Sequence, residues 1–276
     1  MLAETVYGDL ALRDFSDLDV LVQPRDVLKA KAALGSLGYT VNTQLSEVAE
    51  RAYLATGYEY TFDGPAGRNL LEIQWNILPR FYALDFDCDK VFARAQTVTV
   101  CGRAVRALSP EDLLLTLCVH AAKHAWVRLY WVRDIAATVQ SQAIDWAEFE
   151  RRARGLGMAR MVGVSLLLTH QLLRADVPDS MQRLWSTDSE VERLSEEVQR
   201  GLPVAEEYNP ESLQYFRLIM RLRERRSDQY RFLCRLAFTP SIGEWKAIRL
   251  PVPLFPFYRV IRMFRLGARM LRSPIA

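Results

Sequence analysis

The periodicity of apolar residues changes near residue 109, and this change divides the chain into two parts of different fold class. Before it, short runs with the two-residue alternation of β-strands are separated by helical segments. These runs include the strands DLDVLV, YEYTF and NLLEIQWNI, and a hairpin, TVTVCGRAVRAL, that turns near Gly102. After it, the pattern is helical, with Ser109 as N-cap and Pro110 at the first helical position. The sequence therefore predicts an α+β fold, in which a small mixed sheet with flanking helices precedes a mainly helical C-terminal domain.

The same pattern predicts three parts along the chain. Residues 1–108 form an α/β core, in which PRDVLKAKAALGSLGY is a helix ending near Gly38 and DGPAGR is the turn between two strands. Residues 109–249 form a helical domain, with helices near 110–140, 145–157, 158–174, 188–200 and 210–237. Residues 250–276 form a Pro-rich linker and a basic amphipathic helix.

Composition and charge narrow the classes of function. The formal net charge of the 276 residues is only +3, and the sequence shows no basic groove or aromatic ladder for nucleic acid. The four cysteines, Cys88, Cys101, Cys118 and Cys234, lack the spacing of zinc ligands and are predicted to be reduced thiols. The chain opens without a signal peptide, and no apolar run reaches the roughly 20 residues of a bilayer span. These features predict a cytoplasmic protein.

Two aspartates, Asp17 and Asp19, stand one residue apart in the strand DLDVLV. Side chains alternate between the faces of a strand, so both aspartates share one face, roughly 7 Å apart, while Leu18, Val20 and Val22 point into the core. In LLEIQWNI the apolar face of Leu71, Ile73, Trp75 and Ile77 sends Glu72 and Gln74 to the other face. If the strands are neighbours, Glu72 completes a three-carboxylate cluster of the kind that two-metal phosphoryl transfer requires. The alternative is a solvated strand end, or a turn acceptor beside Ser16.

A second group of polar residues follows Ser109. At 100° per residue, one face of a continuous helix carries His120, Lys123, His124, Trp131 and Asp134. The i,i+4 spacing of the histidines suits two metal ligands, but no glutamate adjoins the first one, so zinc is disfavoured. In one interpretation Lys123 binds a nucleotide phosphate, with His120 or His124 near the acceptor, across a cleft from the carboxylates. In the other, the histidines are buried polar residues that tie the helical domain to the sheet, with Asp134 as a salt partner.

The ordered motifs Y-x5-R-x3-D-L-D-V-L-V (Tyr7, Arg13, Asp17, Asp19), LEIQWNI and LSPEDLLLTLCVHAAKHAWVRLYWVRDIA resemble the uncharacterised nucleotidyltransferase family of the polymerase-β-like superfamily. The resemblance runs over about residues 2–150. It implies a nucleotidyltransferase core in which Asp17, Asp19 and Glu72 hold Mg²⁺ (or Mn²⁺), and in which a nucleoside triphosphate such as ATP donates a nucleotidyl group to an unknown acceptor. Arg13 either clamps a phosphate or pairs with Asp14 or Asp17.

The sequence departs from the family pattern at one place. A strand and a Lys-Gly loop that hold the triphosphate are expected just before LAETVY, whereas the sequence starts at Met1. Either the start codon is assigned too late, or the protein is expected to have lost this strand and much of its grip on the nucleotide. This leaves a second hypothesis, a catalytically weak or inactive binding or scaffold protein. A third, a metal-dependent glycosyltransferase, needs a nucleotide-binding unit of roughly 100 residues where only 16 precede Asp17.

The tail, residues 256–272, has the pattern of an amphipathic helix. On a helical wheel one face carries Phe257, Val260, Ile261, Phe264, Ala268 and Leu271, and the opposite one carries Arg262, Arg265, Arg269 and Arg272. Such a helix either lies on an anionic membrane surface or packs on the helical domain or a second subunit, with its arginines merely solvated.

Overall fold

A computed structural model describes residues 2–65, 70–202, 212–248 and 250–272. The α-helices are α1 (Leu2–Tyr7), α2 (Val27–Ser36), α3 (Glu47–Thr56), α4 (Cys88–Arg94), α5 (Pro110–Lys123), α6 (Leu129–Ser141), α7 (Trp146–Leu156), α8 (Ala159–Leu173), α9 (Asp179–Ser186), α10 (Ser189–Gly201), α11 (Leu213–Arg221), α12 (Arg226–Phe238), α13 (Ile242–Ala247) and α14 (Tyr258–Arg272). The strands are β1 (Asp17–Leu21), β2 (Thr40–Val41), β3 (Glu59–Asp63), β4 (Leu70–Gln74), β5 (Gln96–Val100) and β6 (Arg103–Ala107). Short 3₁₀ segments lie at Leu10–Leu12, Pro24–Asp26, Arg80–Tyr82 and Val252–Phe257. The α+β class is therefore confirmed.

The chain divides into two compact units that do not follow its order. The sheet unit comprises Asp14–Asp89 and Arg231–Leu271. The helical unit comprises Lys90–Tyr230 together with the N-terminal residues up to Arg13. The boundaries predicted at residues 108 and 249 assume domains that are contiguous in sequence, and they stay a prediction.

The sheet unit is built on a mixed four-stranded sheet in the order β1-β4-β3-β2. β1 runs parallel to β4, and the other neighbouring pairs are antiparallel. The predicted strands DLDVLV, YEYTF and NLLEIQWNI correspond to β1, β3 and β4, whereas β2 and α3 were not predicted. The turn predicted in DGPAGR falls partly on residues 66–69, which lie outside the described residues.

The core of the sheet unit forms on one face of β3 and β4. Tyr60, Phe62, Leu71, Ile73 and Trp75 are buried there, which confirms the alternation predicted for LLEIQWNI. The aromatic rings of Tyr60 and Trp75 pack with their centroids 5.2 Å apart. This face therefore supplies the hydrophobic contacts, and the opposite face carries the polar residues.

The expectation that Leu18 and Val20 point into the core is wrong. Their exposed fractions are 49% and 38%, and only Val22, just after the strand, packs partly against the core. The physical reason is that β1 lies at the edge of the described sheet, where one side of the strand has no neighbouring strand to cover it.

The helical unit is organised around α8, which is buried along most of its length and packs against α5, α6, α9 and α10. The hairpin β5–β6 turns at Cys101 and Gly102, as predicted. Ser109 caps α5, since its hydroxyl accepts a hydrogen bond from the backbone N–H of Asp112 at 3.3 Å. The predicted N-cap is therefore confirmed.

The single helix predicted over 110–140 is wrong, because the chain turns between α5 and α6. Ala125 and Trp126 adopt left-handed backbone angles, with φ of 52° and 51°. The turn places Trp126 in the core, where its indole N–H donates to the hydroxyl of Ser165 at 3.0 Å. The helix predicted over 210–237 is likewise two helices, α11 and α12, and α9 was not predicted.

Candidate active site

The predicted carboxylates lie on the polar face of the sheet. Asp19 of β1 is in register with Glu72 of the neighbouring strand β4, and Asp17 is in register with Leu70. Because both strands keep their alternation, all three acidic residues fall on the same face. The structure thus brings Asp19 and Glu72 side by side, with Asp17 one repeat further along β1.

Gln74 joins the two adjacent carboxylates, a role that the sequence analysis did not assign to it. Its side-chain amide donates to Asp19 Oδ1 at 3.0 Å and to Glu72 Oε2 at 3.3 Å. One nitrogen contacts both acids, so their oxygens lie within two hydrogen-bond lengths of each other. The signal available in the sequence was the i,i+2 spacing of Glu72 and Gln74, which puts both on one face.

The polar face is more acidic than the sequence analysis predicted. Glu59 of β3 is in register with Gln74, and Asp63 of β3 is in register with Leu70. Both therefore share the face that carries Asp17, Asp19 and Glu72. A concentration of carboxylates on an exposed sheet face attracts cations.

Asp17 takes part in a local contact at the start of β1. The hydroxyl of Ser16 donates to Asp17 Oδ1 at 3.4 Å, which is the turn-type contact considered as the alternative. Within the described part of the chain no group of three His, Cys, Asp or Glu side chains is arranged to hold a metal ion. The three-ligand role of Asp17, Asp19 and Glu72 therefore stays a prediction.

The chemistry of Asp19, Glu72 and Gln74 fits a hard divalent cation. Carboxylate and amide oxygens are the ligands that Mg²⁺ and Mn²⁺ take in proteins. The N–H of Gln74 already places positive charge between the two acids, and rotation of the amide would turn its oxygen towards the same place.

In the helical unit, a fully buried carboxylate, Asp134, holds the N-terminal segment against α6. It accepts hydrogen bonds from the Tyr7 hydroxyl at 2.6 Å and from Arg13 Nε at 2.9 Å, and Arg13 makes a second contact through its other nitrogen at 2.9 Å. Arg133 in turn donates to the Tyr7 oxygen at 3.2 Å. Burial and the bond to Asp134 raise the pKa of Tyr7 to about 12. Arg13 thus has Asp134 as an ion-pair partner, which the sequence analysis did not predict.

His120 and His124 form an aromatic group with Trp131. The two imidazole centroids are 4.8 Å apart, and His124 stacks on the indole at 4.8 Å. Burial, with neighbouring positive charge from Lys123 among other groups, lowers the pKa of His120 to about 3 and that of His124 to about 4. Both rings are therefore neutral at pH 7. Although α5 and α6 are separate helices, the predicted proximity of these three residues is correct.

Lys123 ends α5, and its backbone carbonyl accepts a hydrogen bond from the Tyr215 hydroxyl at 2.7 Å. This contact fixes the end of the helix that carries both histidines. The assignment of Lys123, His120, His124 and Arg13 to nucleotide binding stays a prediction, as does the cleft proposed to separate them from the carboxylates.

Part of the motif LSPEDLLL has a structural role. Asp112 is buried and accepts two hydrogen bonds from Arg94, at 2.8 and 2.9 Å, and one from Arg152 at 3.1 Å. A bidentate arginine–carboxylate pair of this kind orients its partners as well as attracting them. Asp112 therefore ties α4, α5 and α7 together inside the helical unit.

A model of a family described as uncharacterised nucleotidyltransferases matches residues 1–174, which is more than half of the chain. The chain belongs to this family. No curated protein and no solved structure matches the chain. The match includes the carboxylates of the sheet unit and the Tyr7–Arg13–Asp134 group of the helical unit, and it supports nucleotidyl transfer as the general activity.

Proposed function

We propose that the protein transfers a nucleotidyl group from a nucleoside triphosphate to an acceptor, in a reaction that depends on Mg²⁺ or Mn²⁺. The observation that carries the proposal is the pairing of Asp19 with Glu72 on adjacent parallel strands, in a chain of nucleotidyltransferase family. Asp17, on the same face of β1, is the third proposed ligand. ATP is the proposed donor.

The polar face of the sheet suits this role because of what surrounds the carboxylates. Asp17 and Asp19 are exposed, and Glu72 is half-buried, so a bulky polyphosphate has access to them. Divalent ions held there would neutralise the charge of the triphosphate and activate the attacking oxygen. The strands hold Asp19 and Glu72 in a fixed register, so the two carboxylates need little rearrangement to bind together.

Gln74 is proposed to position the two acids. In the structure its amide N–H bonds to both, which offsets the repulsion between two neighbouring negative charges. When the amide rotates, its N–H groups give way to an oxygen ligand. Gln74 is therefore proposed to position the two acids and, once its amide rotates, to add a neutral oxygen ligand. Replacing it with Leu should weaken metal binding less than removing either carboxylate.

The test is isothermal titration of Mn²⁺ and of Mg²⁺–ATP into the full chain and into Asp19→Asn, Glu72→Gln and Gln74→Leu. We expect the first two variants to lose at least about tenfold in metal affinity, since each removes a ligand charge. Asp26→Asn is the matched control, because Asp26 is a surface carboxylate of the same unit that pairs with Lys29. Equal heats for the wild type and for Asp19→Asn would remove the aspartate from the metal site.

A second measurement separates the proposed enzyme from the binding or scaffold protein. Release of pyrophosphate from ATP, GTP, CTP and UTP is followed with the full chain and cell-derived small-molecule, lipid, RNA and protein acceptors. Metal-dependent release that is lost in Asp19→Asn supports transfer. Metal and triphosphate binding without release supports the non-catalytic alternative.

A further inference from the structure

The C-terminal part of the sheet unit is anchored by a buried acid, Glu244 of α13. Its carboxylate accepts from the backbone N–H and the hydroxyl of Ser241, both at 2.7 Å, in a capping box. Two arginines of α14 reach the same carboxylate, Arg262 at 3.6 Å and Arg265 at 3.1 Å. Arg262 is itself buried and donates to the carbonyl of Leu236 at 3.2 Å. The arginine-bearing side of α14 is therefore turned towards the protein.

Aromatic packing fixes the helix in the same orientation. Tyr258, the first residue of α14, is buried and packs against Trp245, with the two rings tilted and their centroids 4.1 Å apart. Both belong to the hydrophobic core that contains the sheet residues Tyr60 and Trp75. α14 is thus a docked element of the sheet unit, and its orientation is set by buried groups.

This orientation leaves most of the apolar side of α14 exposed, while Ile261 packs partly against the core. Phe264 is 75% exposed and Phe257 is 55% exposed, and Val260 and Met263 beside them are also exposed. Val252 and Leu254, which lie with Phe257 in the preceding 3₁₀ segment, are exposed as well. The expectation that a packed tail would have its arginines merely solvated is therefore wrong for Arg262, because the buried charge of Glu244 requires a cation.

The exposed residues surround a shallow groove. Its volume is about 340 Å³, and its lining is apolar: Leu250, Leu254, Phe257, Val260, Ile261 and Phe264. We call these six residues, with Met263, the C-terminal apolar surface. Large exposed apolar patches on a folded protein mark places where another apolar phase or molecule binds.

The charge of the C-terminal segment that includes the tail, residues 245–276, indicates which partner fits. From Trp245 to Ala276 the sequence has no acidic residue and seven basic ones: Lys246, Arg249, Arg259, Arg262, Arg265, Arg269 and Arg272. Among the side chains that the structure describes in this segment, Arg262 and Arg265 pair with Glu244. A second copy docking on the same surface would bring two such basic segments together with no acid between them in the tail. An anionic lipid surface would instead attract them.

We propose that the C-terminal apolar surface docks on an anionic phospholipid membrane, with Phe257 and Phe264 below the headgroups and the exposed Arg259 at headgroup level. The mode is peripheral, because among the described residues no helix is long and apolar enough to cross a membrane. This inference does not depend on the proposed nucleotidyl transfer, since none of its residues belongs to the carboxylate face.

The test is co-sedimentation of the full chain with vesicles of phosphatidylcholine alone and with phosphatidylserine added. We expect binding to the anionic vesicles at low salt and a marked loss at high salt, because salt screens the attraction. Phe264→Ser should lower the partition coefficient of the protein between vesicles and water by about tenfold or more, since the variant no longer buries a phenylalanine side chain in the bilayer. Phe15→Ser is the matched control, because Phe15 is 62% exposed and lies outside the surface.

A charge variant tests the second part of the proposal. Arg259 is exposed on α14, and Arg259→Gln should reduce binding about fivefold, as expected for one basic residue near an anionic surface. Arg25→Gln is its control, since the Arg25 side chain is 79% exposed in another part of the sheet unit. Circular dichroism of each variant verifies that it is folded.

Three results would overturn the proposal. The first is failure of the wild type to bind anionic vesicles at low salt. The second is equal binding of the wild type and Phe264→Ser. The third is a stable dimer in light scattering that Phe264→Ser converts to monomer, because the surface would then be an interface between two copies of the chain.

Discussion

The ion pair of Arg13 with Asp134 should contribute strongly to the stability of the helical unit. Asp134 is fully buried, and the Arg13 side chain retains 20% of its exposure. Removing one member of a buried pair leaves the other charge without its partner and costs about 3–5 kcal/mol. We expect the loss of stability in Arg13→Met to lie at the upper end of this range, because the Asp134 charge that it leaves behind is wholly buried. Asp134→Leu should lose less stability, since water reaches part of the Arg13 guanidinium. This variant also removes the acceptor of the Tyr7 hydroxyl.

The loss of stability in the double variant Arg13→Met/Asp134→Leu should be far smaller than the sum of the losses in the two single variants. It replaces two charges with apolar side chains and leaves no buried ion, so we expect a coupling free energy of about 2–3 kcal/mol. The assay is urea denaturation followed by circular dichroism, with the free energy of unfolding compared among the four proteins.

The matched control is the surface pair of Glu150 and Arg154, which are spaced i,i+4 on α7. The same substitutions there should give a coupling of only about 0.3–0.5 kcal/mol, because both charges remain in contact with water. If the effects of Arg13→Met and Asp134→Leu simply add, the two side chains do not stabilise each other as the structure indicates.

Three further predictions concern other buried groups. As the pH falls from about 6.5 towards 4, His120 and His124 become protonated in the unfolded chain but stay neutral in the folded one, so the free energy of unfolding should fall. Urea denaturation at pH 7 and at pH 5 should show a smaller fall for His120→Phe than for the wild type. Gly157→Ala should destabilise the protein by about 1–3 kcal/mol, because φ is 68° and a Cβ would overlap a buried carboxylate. The control, Gly155→Ala, places its Cβ in open space and should stabilise slightly. Equal thermal midpoints for the two variants would contradict this prediction. Glu244→Gln should destabilise by about 3–5 kcal/mol in urea, since it leaves buried arginine charge uncompensated, and an unchanged midpoint would show that this charge is solvated.

Local patterns predicted much of the sheet unit and the adjacency of its acids. The two-residue alternation in β1 and β4 placed Asp19 and Glu72 on a common face, and the parallel register put them side by side. The same alternation failed for Leu18 and Val20. Alternation states which residues share a face, whereas burial depends on what covers that face, and β1 is an edge strand.

Contacts between distant parts of the chain were not predictable in the same way. Arg13 and Asp134 are 121 positions apart, and nearer acids, Asp14 and Asp17, were equally plausible partners in the sequence. The break after α5 had no glycine or proline to mark it, because the left-handed residues are Ala125 and Trp126. Burial of the indole favours that turn, and burial is a property of the assembled fold.

The orientation of α14 depends on a buried acid on another helix, which a helical wheel does not show. The wheel separates an apolar face from a basic face, and the usual assumption is that the apolar face packs inward. Here Glu244, on a different helix, is fully buried and would be strongly destabilising without cations. Arg262 and Arg265 supply them, and Tyr258 against Trp245, with Ile261 partly buried against the same core, supplies the hydrophobic contacts that help to hold the helix. The apolar face, including Phe264, is consequently exposed, and the surface left there is the one that a lipid bilayer would cover.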